Sequence, residues 1–109
     1  MKNTPHPPSV SHDICLAERL KKDPEFAVQY LKVALEEAKD AEWRMVLLGA
    51  IRQIAKAHGI AKIARGAGIK RESLSRALSA KGNPRFDTIY AVMQAMGLQF
   101  TVEPLRSSS

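Results

Sequence analysis

A chain of 109 residues has room for one small hydrophobic core and excludes a design of two such domains. Its 45% apolar and 26% charged residues exclude wholesale disorder, and a formal net charge of +6 suggests a polyanionic partner. No apolar run approaches the ~20 residues that cross a membrane, and the N-terminus lacks the apolar core of a signal peptide. Cys15, the single cysteine, excludes an internal disulfide, and a cytoplasmic protein is expected.

In chain order, MKNTPHPPSV is rich in proline and reads as part of a flexible tail over 1–12. Leu16 and Leu20 share a face and predict a short helix from about Ile14 to Lys21. Asp23-Pro24 is a helix start: the carboxylate caps free N–H groups and proline suits the first helical position. Ala27, Tyr30, Leu31, Ala34, Leu35 and Ala38 then recur at helical spacing to about Lys39. Asp40 is the next expected cap, followed by a stripe of Trp43, Val46, Leu47, Ala50, Ile51, Ile54 and Ala57 that ends at a left-handed Gly59. A join this tight requires the two helices to fold back or turn sharply.

Two short helices follow, about Ala61–Ala67 and Arg71–Ser79, separated by Gly68-Ile69-Lys70. Lys81-Gly82-Asn83-Pro84 is a loop, and Ile89, Val92, Met93 and Met96 mark a last helix closed by Gly97. Leu98, Phe100 and Val102 alternate with polar residues until Pro104, the period of a half-buried strand. A lone strand leaves its backbone groups unpaired, so pairing with a second copy is expected, with a different protein's sheet edge as the rival. Cys15 is expected to be at least half-buried, Trp43 to sit in the core, and Met45, Met93 and Met96 to fill it.

Charge is segregated along the chain. From Ile60 to Arg85, Lys62, Arg65, Lys70, Arg71, Arg76, Lys81 and Arg85 face Glu72 alone. From Asp23 to Glu42, Asp23, Glu25, Glu36, Glu37, Asp40 and Glu42 outnumber Lys32 and Lys39. Two faces with different partners are implied.

The basic block also meets the steric rules of a helix-turn-helix. Ala64 is small enough for a close helix crossing, Gly68 tolerates positive φ in the turn, and Ile63, Ala67, Ile69, Leu74 and Ala77 take the inward places. With Leu74, Ala77 and Leu78 inside, the second helix presents Arg71, Glu72, Ser73, Ser75, Arg76 and Ser79, with Lys70 just ahead. Such a helix enters a major groove, where Arg71 and Arg76 suit guanine O6 and N7. Ser73 and Ser75 reach bases or phosphates, and Glu72 accepts from cytosine or orients an arginine.

The segments DPEFAVQYLKVALEEA, GIKRESLSRALS and GNPRFDTIYAVMQAMGLQFTVEP together resemble the antidote (antitoxin) proteins of bacterial type II toxin–antitoxin addiction modules that carry a lambda-repressor-like helix-turn-helix. The resemblance runs from about Asp23 to Glu103. It implies an all-α, lambda-repressor-like bundle with extra N-terminal helices and a short C-terminal β-strand pairing across a dimer. It implies a protein that neutralises a small toxin, usually an RNA-cleaving one, and as a DNA-binding dimer represses its own operon. Lys70, Arg71, Glu72, Ser73, Ser75 and Arg76 become the reading helix, and Asn83 and Arg85 lie beside the backbone. Where the family commonly has serine or threonine caps, this chain has Ala61, Lys70 and Arg85; the two cations suggest an exchange of cap stability for phosphate contact.

The expected organisation is a tail over 1–12, acidic helices over 13–59, a DNA-binding region over 60–97 that also enlists Lys62 and Arg65, and a strand and tail over 98–109. Glu36, Glu37, Asp40 and Glu42 are the candidate docking surface for a basic toxin. His6, His12 and His58 are too scattered to predict a metal site, no cofactor is expected, and no nucleophile–base pair or phosphate loop predicts an enzyme. A stand-alone repressor and a pure protein-interaction module are the alternatives.

Overall fold

The structure is a computed structural model that describes the backbone of residues 8–105 and the side chains of residues 15–105. Six helices follow one another: α1 (Pro8–Lys22), α2 (Pro24–Glu37), α3 (Trp43–His58), α4 (Ile60–Ala67), α5 (Arg71–Ala77) and α6 (Phe86–Ala95). The all-α class is as expected. Helix α1 starts at Pro8 instead of near Ile14, so residues 8–12 are helical and not tail. The physical reason is Pro8 itself: at a first helical position its missing N–H costs nothing and its φ is already helical. The rest of the expected tail, and the closing serines, lie outside the described residues.

Asp23 caps α2 as its sequence implies, its Oδ1 accepting from Phe26 N–H at 3.1 Å with extended backbone at the cap. Asp23→Ala should therefore lower stability by ~1 kcal/mol, read as a lower urea midpoint at unchanged slope. Asp40 does not repeat this role. It opens a single turn of 3-10 helix, Asp40–Glu42, that runs straight into α3, and no side chain caps α3. Glu42, the residue before α3, already has near-helical backbone (φ −110°, ψ −1°), which denies it the extended geometry of a cap.

Helix α3 is the centre of the bundle: α1, α2 and α4 all pack on it, and α4 packs in turn on α5 and α6. Its buried residues are Leu48, Ala50, Ile51, Ile54 and Ala55, joined in one core by Leu20, Leu31, Ile63, Leu74, Leu78, Val92, Met93, Met96 and Leu98. The buried stripe takes in Leu48 and Ala55, outside the expected set, and leaves out Trp43, which is 53% exposed. Met45 is exposed as well, and so are Leu35 and Cys15, contrary to the sequence reading. All but Leu35 lie on the first turn of α3 or the outer side of α1, where no helix of the described chain covers them. Met93 and Met96 do fill the core.

Gly59 serves both the end of α3 and the start of α4, with φ 105° and ψ 113°: positive φ, but not the left-handed helical ψ that was expected. Ala61 consequently lies inside α4 and is not its cap. Past Gly97, where a strand was expected, residues 98–105 are neither helix nor strand, and Leu98 N–H returns to Met93 O at 2.9 Å. Within the described chain 98–105 pairs with no strand.

Candidate nucleic-acid interface

The geometry of the basic block follows from four buried side chains and one turn. Ile63 and Ala64 bury one face of α4, and Leu74 and Leu78 bury one face of α5 and its end. Between them Gly68 adopts φ 76° and ψ 28°, a conformation that strains any side chain with a Cβ. Its amide closes α4 by donating to Arg65 O at 3.2 Å, and Ile69 N–H donates to Ala64 O at 3.0 Å. Gly66 marks where α4 meets α6, since a Cβ there would lie 3.2 Å from Ala95 Cβ.

With Leu74 inside, the rest of α5 follows by helical geometry. Arg71, Glu72, Ser73, Ser75 and Arg76 are all exposed, as are Lys70 ahead of them and Lys62 and Arg65 on α4. Among the described residues Lys62, Arg65, Lys70, Arg71 and Arg76 make no ion pair, so their charge faces solvent. Ser79 turns back instead, donating from Oγ to Arg76 O at 2.8 Å. Helix α5 ends at Ala77, two residues before its expected end, and Ser79 tidies that end.

Lys70 and Arg85 stand at the cap positions of α5 and α6 with extended backbone, and neither side chain caps its helix. Arg85 Nε lies 3.5 Å from Asp87 Oδ1, an exposed pair worth little. Asn83 is tied into the fold: its Oδ1 accepts from Arg44 Nη1 at 3.0 Å, which leaves the amide N–H groups free for a partner. Arg52 Nη1 donates to Leu78 O at 3.0 Å and so satisfies a carbonyl at the end of α5 from the middle of α3. Neither Arg44 nor Arg52 is singled out by local sequence, because their acceptors lie 39 and 26 residues away.

His58 adds no charge to this block near neutral pH. Burial chiefly, then the cations of Lys62 and Lys21, hold its imidazole below its ordinary value. The protonated form is thus disfavoured in the folded chain, and its contribution to stability fades as pH falls below the ordinary histidine range.

Glu36, Glu37, Asp40 and Glu42 are exposed at the end of α2 and on the 3-10 turn. Among the described residues no group of three or more His, Cys, Asp or Glu gathers as a metal site, and no helix is long and apolar enough to cross a membrane.

Comparison with known proteins adds a family. A family model described as "Probable addiction module antidote protein" matches residues 11–104. The chain is also similar to an uncharacterized protein of Haemophilus influenzae, 42% identical over 94 residues that cover 86% of this chain and 92% of the relative. No solved structure matches the chain.

Proposed function

The chain belongs to the family of addiction module antidote proteins, and from that premise we propose that it neutralises a cognate toxin and represses its own operon as a DNA-binding dimer. The observation that carries the DNA half is α5. It is anchored by Leu74 and Leu78, and its whole outward side is an arginine–serine–glutamate set within a block of unpaired cations. Read as the second helix of a lambda-repressor-like helix-turn-helix, it enters the major groove with Arg71, Glu72, Ser73, Ser75 and Arg76 toward base edges. Lys62, Arg65, Lys70, Asn83 and Arg85 attend to the phosphates. A two-fold dimer presents two such helices about 34 Å apart to a near-palindromic operator.

For the toxin, charge complementarity favours the exposed carboxylates Glu36, Glu37, Asp40 and Glu42, and hence a basic partner such as an RNA-cleaving protein. The role requires binding and no catalysis. Co-expression with the neighbouring gene tests it: a stable complex, and toxicity when this chain is omitted, are the expected results. Operator binding without any toxin would reduce the protein to a stand-alone repressor.

Arg71→Ala and Arg76→Ala should each cost ~1–3 kcal/mol of operator affinity and relax base preference at one position. A uniform loss over unrelated sequences in a mobility-shift titration would demote the residue to a phosphate contact. Lys70→Ser should do the opposite on two readouts. It should gain ~1 kcal/mol of stability from a restored cap and lower the salt slope of binding by about 1.

A further inference from the structure

The cations at the end of α1 are not equivalent. Arg19 pairs with Asp23 at 3.9 Å and lies over the ring of Phe26, and Lys22 pairs with Glu18 at 2.9 Å. Lys21 between them is exposed and makes no ion pair among the described residues. Its neighbour fixes its place. Leu20 is 1% exposed and, with Leu16 and Ala17, walls a hollow shared with Gln53 and Lys56 of α3.

The last turn of α1 therefore lies against the last turns of α3, where His58 is half-buried. Just across Gly59, α4 begins and carries Lys62, exposed and likewise without an ion pair among the described residues. The two lysines meet at the imidazole: after burial, the cations of Lys62 and Lys21 are what hold His58 below its ordinary value.

We infer that Lys21, His58 and Lys62, brought together from α1, α3 and α4, form a seat for a DNA backbone phosphate outside the reading helix. This rests on the DNA reading above and extends it to α1, a helix within the stretch expected to serve the toxin. Two features favour DNA as the occupant. The seat is continuous with the basic block, since α4 is the first helix of the helix-turn-helix and crosses the backbone when the second enters the groove. It is also remote from the carboxylates Asp40 and Glu42, which immediately precede α3 while His58 closes it. Sixteen residues of helix put about 24 Å between them. A basic toxin drawn to those carboxylates is repelled here.

A phosphate in this seat changes the balance at His58. Lys21 of α1 and Lys62 of α4 are the charged groups that act on it from the packed elements, and Lys56, two residues back on α3, points to another side. One phosphodiester charge offsets the two lysines and favours the imidazolium, so His58 takes a proton from solvent as DNA binds. Affinity therefore rises as pH falls into the histidine range.

The test is a salt and pH titration of the full-length chain on the DNA upstream of its own gene and on an unrelated duplex of equal length. Lys21→Gln should lower the salt slope by about 1 on both duplexes, so that its affinity falls about fourfold less than the wild type's between about 50 and 200 mM salt. Lys21→Arg should restore the slope. Lys39→Gln removes the same charge from an exposed site just past α2 and should leave the slope alone, which separates a seat from net charge. Wild-type affinity should rise roughly threefold from about pH 7.5 to about pH 6, and His58→Gln, folded by circular dichroism, should abolish that rise. A Lys21→Gln slope equal to the wild type's would overturn the seat and leave the DNA reading standing. A pH dependence that survives in folded His58→Gln would do the same, as would a Lys21→Gln loss confined to the upstream DNA, the mark of a base contact. A wild type that binds neither duplex sinks the DNA reading and the seat with it.

Discussion

Gly82→Ala should lower the stability of this protein by about 3 kcal/mol, near the upper end of what overpacking usually costs. Gly82 is buried in the loop that leaves α5, and its amide donates to Ser79 O at 2.9 Å. A Cβ at this position would strike the carbonyl oxygen of Ala77, and would stand 2.6 Å from Ala77 C and 2.8 Å from Arg76 O. All three are backbone atoms at the end of α5, so no side chain can rotate away to make room. Relief requires moving the helix end or the loop. Either motion disturbs Arg76 on one side and the Arg44–Asn83 hydrogen bond on the other. In a domain of this size the melting temperature should fall by on the order of 15 °C. A thermal unfolding curve superimposable on the wild type would show that the loop has slack, and with it that Asn83 is not held in place.

Leu74→Ala is the second large effect, ~2–5 kcal/mol of stability. Leu74 has no exposed surface and is the one fully buried residue within α5. A helix of seven residues is far too short to persist alone. Its order comes from this anchor, from Leu78 beyond it and from the Arg52 hydrogen bond at its end. Removing the anchor should therefore cost operator affinity even at a temperature where the bundle remains folded by circular dichroism. Ser73→Ala, an exposed neighbour, should leave stability within ~0.5 kcal/mol. If Leu74→Ala binds operator as tightly as the wild type under folded conditions, α5 is not the reading helix.

These expectations show where the sequence was a sufficient guide. Asp23-Pro24 is read correctly because a cap and its acceptor site lie three residues apart, within one turn of helix. Gly68 is read correctly because a turn of three residues between two apolar periods admits few backbones, and one of its positions needs positive φ. The alternation of inward Leu74 and Leu78 with outward Arg71, Ser73, Ser75 and Arg76 is a matter of 3.6-residue geometry once the helix is granted. All of these are local constraints, and local constraints are written in adjacent residues.

Failures occur where a local signal needs a distant neighbour. Trp43 and Met45 carry the composition of core residues, yet periodicity states only which residues share a face and not whether a partner helix reaches it. Asp40 has the chemistry of a cap without the extended backbone, because the 3-10 turn carries the chain directly into α3. Gly82 reads as an ordinary loop glycine. Its actual burden is a close approach to the end of α5, visible only when the loop is folded against that helix.

The sequence by itself determined the helical class, the charge segregation, the turn at Gly68 and the outward set on α5, since each follows from spacing or side-chain chemistry within a few residues. Tertiary structure alone decided that Arg52 from α3 secures the end of α5 and that Arg44 holds Asn83. It alone decided that Trp43, Phe86 and Phe100 converge on one exposed groove. These contacts join residues separated by tens of positions, and what brings them together is the burial of Ile51, Ile54, Ile63, Leu74 and Val92 in a common core.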